Sequence, residues 1–267
     1  MQIIKIVILG IVQGLTEWLP ISSTGHLRLF EVLIDFQVPI LFDVILHGGT
    51  LIVVSVFFRQ RIRKILLSLV TLDFNTEEGS LIPLIFVGVI PTVLIGVFFG
   101  GLIEEIFQYV TPIGVAFLFH GTVLYISKFG KETNKKIGYS TAMLMGVAQG
   151  IAIIPGVSRS GMTIAVALLL GIERRKAFEF SFLLSIPAIL GALGYTVLTE
   201  LGDLVSVGVR WEEILGGVLV SMLVGYLALK LLWKTLVKRK FHLFAFYCLT
   251  LGLLLIFVAG KPFGFSR

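Results

Sequence analysis

A single cysteine, Cys248, leaves no partner for an intrachain disulfide and no set of thiols for a cysteine-based metal site. Charge is almost as scarce: Asp, Glu, Lys and Arg make up 14% of the 267 residues, against 57% in the hydrophobic set. A soluble domain of this length needs far more polar residues to cover its surface. With a mean hydropathy of +1.01, the solvent for most of the chain is lipid. The opening MQIIKIVILGIVQG lacks a small-residue cleavage site, so no cleavable signal peptide is expected. The net charge of +6 does not mark a nucleic-acid binder. The cations sit in short clusters between apolar runs, and no basic, aromatic domain stands outside the lipid.

Six runs have the length of a membrane span, about 38–58, 81–102, 110–127, 177–199, 211–233 and 241–260. Two further apolar stretches, 1–34 and 139–171, are broken near their middles by Pro, Gly, Ser and charge: QGLTEWLPISSTGH in the first and QGIAIIPGVSRSG in the second. Neither half of either stretch is long enough to span, so each predicts a re-entrant helical hairpin. Irregular backbone at that depth survives only where protein or a water-filled cavity surrounds it. The two stretches also match each other at offsets of 135 or 136 residues. Gln13-Gly14 returns as Gln149-Gly150, Pro20 as Pro155, Ser23 as Ser158, Gly25 as Gly161, and Phe42-Asp43 as Phe178-Glu179. The expected fold is therefore an all-α integral membrane protein with six transmembrane helices and two re-entrant hairpins. It forms a single membrane domain of two repeats, 1–127 and 137–267.

Charge counting supplies the orientation. Loops 59–64, 128–136, 174–176 and 234–240 hold 15 of the 22 Lys and Arg residues, which places them in the cytoplasm. Lys5, Arg28, Arg210, Lys261 and Arg267 fall outside. With that assignment the two repeats run through the membrane in opposite directions, an inverted repeat, and the hairpin tips meet near the middle.

Two polar arrays then face each other: Gln13, Glu17, Ser22, Ser23, Thr24 and His26 from one hairpin, and Ser158, Arg159 and Ser160 from the other. Gln13 and Glu17, four residues apart, share a helix face. Each Ser-rich turn opens a new helix whose free N–H groups suit an anion. Arg159 carries a guanidinium fork fitted to phosphate oxygens. Burying such an arginine unpaired costs ~2.5–3.5 kcal/mol on insertion scales, so it requires an anionic partner, and a ligand phosphate fits. His26 lies three residues from Ser23 and is read as functional, as is Glu17. His120 and His242 are read as structural, and His47 as packing beside the Gly48-Gly49 pair. Thr24, Ser160 and Thr163 stand equally well as ordinary backbone-bonding hydroxyls. Asp43 and Glu179 are expected near span ends, pairing with loop arginines. Gly191, Gly194, Gly216 and Gly217 permit close helix contact, within one protomer or between two, and a homodimer is one expectation.

QGLTEWLPISSTGH and PGVSRSG resemble the two signature motifs of the undecaprenyl-diphosphate phosphatase family, also called bacitracin-resistance proteins. The resemblance covers nearly the whole chain. It implies a multi-pass enzyme of the cell membrane that removes the terminal phosphate of undecaprenyl diphosphate, recycling the monophosphate carrier for cell-envelope glycan synthesis. It also implies dependence on a divalent cation, Mg²⁺ or Ca²⁺, and a site toward the outer face. Gln13 departs from the acidic residue usual at the first position of the family's E/Q-x-x-x-E motif. A neutral amide is no base and a weaker metal ligand. The SxxGH pattern also resembles type-2 phosphatidic acid phosphatases, but Ser158-Arg159 is followed by Ala165 where that family has His.

On this reading Arg159, Ser158 and the hairpin amides hold the diphosphate, with Ser22, Thr24, Gly25, Gly156, Ser160 and Gly161 lining the same site. Glu17, with Gln13, holds the cation. Ser23 is the candidate nucleophile and His26 its proton partner, while His26 itself and direct attack by water remain alternatives. The rival is a transporter of polyprenyl phosphate without hydrolysis, since inverted repeats with broken helices are common there. A structural scaffold would leave the buried charges unexplained.

Overall fold

The computed structural model describes residues 2–34, 36, 40–133, 135–200 and 211–258, and within them the chain is helical. In order these are α1 (Gln2–Trp18), α2 (Ser23–Leu33), α3 (Ile40–Phe57), α4 (Arg59–Val70), α5 (Leu81–Ile106), α6 (Val110–Ile126), α7 (Tyr139–Ile151), α8 (Arg159–Leu169), α9 (Arg174–Glu200), α10 (Trp211–Val237) and α11 (Phe244–Val258). Short 3₁₀ turns at Ser127–Phe129 and Phe241–Leu243 extend α6 and lead into α11. Among the described residues five helical stretches are long and apolar enough to cross a membrane, six if the bent pair α3–α4 is counted as one span. The expected outer cations Arg210, Lys261 and Arg267 lie outside the described residues, as do the extreme ends of the runs 38–58 and 241–260.

The basic run 59–64 is not a loop. It opens α4, which turns 85° away from α3. The reason lies in the side chains: Arg59, Arg61, Arg63 and Lys64 cannot follow α3 into hydrocarbon, yet the backbone still gains by remaining helical. Leu66, Leu67, Leu69 and Val70 stay exposed on the second half of α4, beyond the cations of its first half. Arg61 meets Glu77 at 2.7 Å, Glu78 at 2.9 Å and also Glu179. Glu179 thus pairs with a loop-side arginine as anticipated; burial works against the Arg61 charge, and Glu77 and Glu179 together raise the guanidinium's affinity for its proton.

Helix pairing follows a pattern. α1 lies along α10, while α7 lies along α5; α3 packs on α9 and α10, while α9 packs on α3 and α5; α6 lies along α11. Small residues permit the closest approaches. A Cβ on Gly10 would sit 2.6 Å from the Gly217 carbonyl oxygen, one on Gly252 would sit 2.8 Å from that of Gly114, and one on Gly146 would strike the backbone of Gly88. Without a hydrophobic drive between helices in lipid, such backbone proximity is the main source of packing energy. Of the glycines marked out in the sequence, only Gly217 works this way; Gly191, Gly194 and Gly216 meet open space. Between the helices, Trp18, Phe42, Phe117, Phe178, Phe180 and Phe182 are fully buried. Phe178 and Phe182 have ring centroids 4.6 Å apart, and Trp18 lies 5.3 Å from Phe182.

Gly146→Leu forces α5 and α7 apart and should cost about 1–3 kcal/mol, the usual range for overpacking. Gly191→Ala, with nothing to strike, should leave stability unchanged. Thermal unfolding of the two purified variants in one detergent checks the contrast; equal midpoints would be the wrong answer for this interface.

Candidate active site

α1 ends at Trp18 and α2 begins at Ser23, with Pro20 between them. Ser22 caps α2: its side chain accepts from the Gly25 N–H at 3.3 Å, and its backbone takes φ of 69°. A non-glycine residue there is strained and persists only where its surroundings hold it. In the second hairpin Ser158 caps α8, accepting from the Gly161 N–H at 3.2 Å, after a turn in which Gly156 has φ of +99°. Caps of this kind satisfy helix-end donors that lipid cannot.

The two turns are stitched together by the hydroxyls expected to bind substrate. Ser22 Oγ accepts from the Gly156 N–H at 3.0 Å, Ser158 Oγ donates to the Leu19 carbonyl at 3.4 Å, and Ser160 Oγ donates to that of Trp18 at 3.1 Å. All three serines are buried. Gly25 and Gly161 are positions of close approach. A Cβ on Gly25 would lie 3.0 Å from the Gly156 nitrogen, and one on Gly161 would lie 2.7 Å from His120 Nε2. His120 Nε2 in turn bonds the Pro20 carbonyl at 3.1 Å, the structural role expected of it. Thr163 bonds the Arg159 carbonyl at 2.8 Å, and Thr24 is exposed.

Glu17 is the hub. Arg159 Nη2 donates to its Oε1 at 2.5 Å, and Ser23 Oγ donates to its Oε2 at 2.7 Å. Gln13 Nε2 donates to that same Oε2 at 3.2 Å. The anionic partner that Arg159 demands is therefore Glu17, where a ligand phosphate had been expected. The guanidinium also lies 5.5 Å from the Trp18 ring, and its Nη1 is buried with no hydrogen-bond partner. One arm of the fork holds the carboxylate and the other is free for an incoming oxyanion.

Two residues given no place in the site by the sequence, His47 read as packing and Tyr247 unremarked, complete the arrangement. His47 is more than packing: its Nε2 lies 3.2 Å from Glu17 Oε2, and its Nδ1 lies 2.7 Å from the Asp43 carbonyl oxygen. Both nitrogens face oxygen acceptors, so both contacts are satisfied together only by the imidazolium. Tyr247 on α11 lies 2.6 Å from His26 Nε2 and stacks on the ring with centroids 5.6 Å apart. His26 Nδ1 sits 2.7 Å from the Ser22 carbonyl oxygen, which can only accept. Nδ1 therefore carries the hydrogen, and in the neutral ring Nε2 accepts from the Tyr247 hydroxyl. Among the described residues no hydrogen bond joins His26 to Ser23; the acceptor beside Ser23 is Glu17. In this structure the Ser23 hydroxyl is bonded to Glu17 and not to His26.

No group of three or more His, Cys, Asp or Glu side chains among the described residues could together hold a metal ion. The donors beside Glu17 are an amide and a hydroxyl. Gln13 Oε1 is buried without a hydrogen-bond partner, so a hard cation could be met there by this oxygen and the Glu17 carboxylate, provided the remaining ligands came from substrate oxygens and water. That is how Mg²⁺ is commonly held.

The sequence profile described as bacitracin resistance protein BacA matches residues 6–254. A protein of Halothermothrix orenii named undecaprenyl-diphosphatase is 43% identical over 97% of this chain and 99% of its own length. Proteins of the same name from Methanosphaera stadtmanae and Carboxydothermus hydrogenoformans are 37% and 38% identical, covering 97% and 98% of this chain and 99% and 100% of their own. The chain belongs to the bacitracin resistance protein BacA family.

Proposed function

We propose that this chain is an undecaprenyl-diphosphate phosphatase of the cell membrane, which cleaves the polyprenyl diphosphate to the monophosphate carrier and inorganic phosphate for cell-envelope glycan synthesis. The observation that carries the proposal is the Ser23–Glu17–Arg159 cluster. It joins a hydroxyl, a carboxylate and a half-free guanidinium across two hairpins in an otherwise apolar molecule.

In the proposed reaction the terminal phosphate lies against Arg159 Nη1. Ser23 Oγ attacks its phosphorus and Glu17 Oε2 receives the hydroxyl proton. The bond to the bridging oxygen breaks, and that oxygen leaves with the electron pair as polyprenyl monophosphate. Water then splits the phosphoserine. Phosphoryl transfer asks chiefly for positioning and charge stabilisation; Arg159, His47 and Gln13 hold the carboxylate in place from three sides. A divalent cation, Mg²⁺ or Ca²⁺, held by Glu17 and Gln13, would supply neutralisation of the phosphate charge.

The wider arrangement is read as one membrane domain of two inverted repeats, 1–127 and 137–267, whose re-entrant hairpins are α1–α2 and α7–α8. Helix pairing supports this, because exchanging α1, α3 and α5 for α7, α9 and α10 reproduces the observed neighbours. The cation count supports an α4 side in the cytoplasm; the family resemblance implies that the Ser23 site opens toward the outer face, with the prenyl tail among lipid-facing helices.

Glu17→Ala, Ser23→Ala and Arg159→Ala should each lower phosphate release from a polyprenyl diphosphate by about 10²–10⁴-fold, the range for losing a positioned proton acceptor or nucleophile. The assay is purified protein in detergent with inorganic phosphate as readout. Release near the unaltered rate by the Ser23 variant would transfer attack to water, and no release by the wild-type protein would favour a transporter. Arg159→Lys should not rescue, since an ammonium cannot hold Glu17 and a phosphate with two fixed arms.

Tyr247→Phe removes the hydroxyl that holds His26 Nε2 while keeping the stacked ring. A kcat lowered by about 3–10-fold, in line with a hydrogen bond worth ~1 kcal/mol, is expected with KM unchanged. In the His26→Ala background the same change should do nothing further. Additive losses would mean that Tyr247 acts independently of His26.

A further inference from the structure

We propose that the cation-lined cavity at the cytoplasmic end of the molecule is a binding site for a phosphate oxyanion, carried by the headgroup of an anionic phospholipid or present as free phosphate. The cavity has a volume of about 630 Å³ and is built from four separate segments: the run 127–132 at and after the end of α6, the end of α8, the start of α9 and the α10–α11 turn. Lys128, Lys131, Arg174 and Arg239 line it against one carboxylate, Glu132, and His242 stands at the same wall. A surplus of three positive charges follows before His242 is counted.

The single carboxylate is already shared. Glu132 Oε1 pairs with Arg174 and lies 3.7 Å from Arg239, so two guanidinium groups are held near each other by one oxygen. The wall is also fixed, because the Thr133 N–H and hydroxyl bond the Gly171 carbonyl at 2.9 and 3.1 Å. Topology alone explains why these cations lie on this side. It does not explain why three of the four basic clusters, 128–136, 174–176 and 234–240, converge on one concavity. The fourth cluster makes the contrast: on α4 the cations Arg61 and Lys64 meet three carboxylates, Glu77, Glu78 and Glu179, while here four cations line a cavity that has one.

Cations around a concavity at a helix boundary are the features that recognise a lipid phosphate on the cytoplasmic side of a membrane. The apolar part of the lining, Phe129, Leu168 and Phe241, suits the first carbons below such a headgroup, and Phe129 is 66% exposed. The volume accommodates a glycerophosphate. The site lies apart from Glu17 and does not depend on the phosphatase reading.

The test uses the full chain in nanodiscs of phosphatidylcholine, with or without phosphatidylglycerol, and counts retained phosphatidylglycerol by native mass spectrometry. Lys131→Gln/Arg239→Gln should weaken retention by about fivefold for each cation removed. The control Lys135→Gln/Lys136→Gln, in the same loop but off the cavity wall, should behave as wild type. Thermal unfolding midpoints equal to that of the wild type verify that both variants are folded; should the double variant fail to purify, Lys131→Gln alone gives the single-cation effect. Inorganic phosphate is titrated in a parallel arm. If it binds in phosphatidylcholine alone, and does so more weakly to the variant, the site takes free phosphate. If it does not bind and phosphatidylglycerol does, the headgroup is the ligand. Wild type and double variant that retain phosphatidylglycerol equally and bind phosphate equally overturn the proposal.

Discussion

Glu17 and Arg159 are the constraint on which the rest of this molecule turns. Either charge alone, placed among apolar helices, would carry a desolvation penalty of several kcal/mol. Together, at 2.5 Å, they offset it, but only if the tips of α1 and α8 are brought side by side from opposite halves of the chain. The ion pair therefore acts as a tether as well as a chemical group. Ser22, Ser158 and Ser160 reinforce it, each reaching across to the other hairpin's backbone. The strained backbone of Ser22 and the left-handed Gly156 meet at one of these bonds, so local strain and long-range docking are answered by the same atoms.

This division of labour separates hydroxyls that build from the one proposed to react. Ser22, Ser158 and Ser160 are buried and committed to backbone groups, and moving any of them would leave an unsatisfied donor or acceptor in a dry interior. Ser23 differs by one position and one bond. It is half-buried, and its hydrogen is given to a carboxylate instead of a peptide. Neighbouring serines in one tetrapeptide thus receive opposite tasks from the pitch of the helix they open: Ser22 is the cap, and Ser23 is the first residue past it.

Much of this was legible in the sequence. Hydropathy located the spans to within a few residues, since lipid leaves the chain few other solutions, and the interrupted motifs located both turns. Glu17, Ser23 and Arg159 were identifiable because charge and hydroxyls in apolar surroundings demand an explanation. Tyr247 and His47 were not, because each looks ordinary within its own helix. Tyr247 matters only through a partner 221 positions away, and no local pattern reports that distance. His47 was hidden by its neighbours, as the glycines after it suggested packing. The glycines themselves misled for a similar reason: Gly191 and Gly216 resemble Gly10 and Gly146 in sequence, and only the facing helix decides which of them is a contact. α4 was missed because counting cations in a run gives its side of the membrane and not its backbone.

The charge balance at the hub bears on what the site can accept. Glu17 carries one negative charge, and Arg159 and the His47 imidazolium carry two positive charges within 3.2 Å of its oxygens. These three groups alone sum to one positive charge, less than the charge of a diphosphate, and the Asp43 carboxyl also acts on His47. Were Glu17 to meet that ligand unaided, two anions would face each other in a medium where screening is weak. The imidazolium and guanidinium reduce this repulsion, and a divalent cation of the proposed kind has the sign needed to remove the rest. A carboxylate so restrained can remain a proton acceptor beside Ser23 while a phosphate approaches. A single buried acid without these partners would instead neutralise itself and lose that capacity.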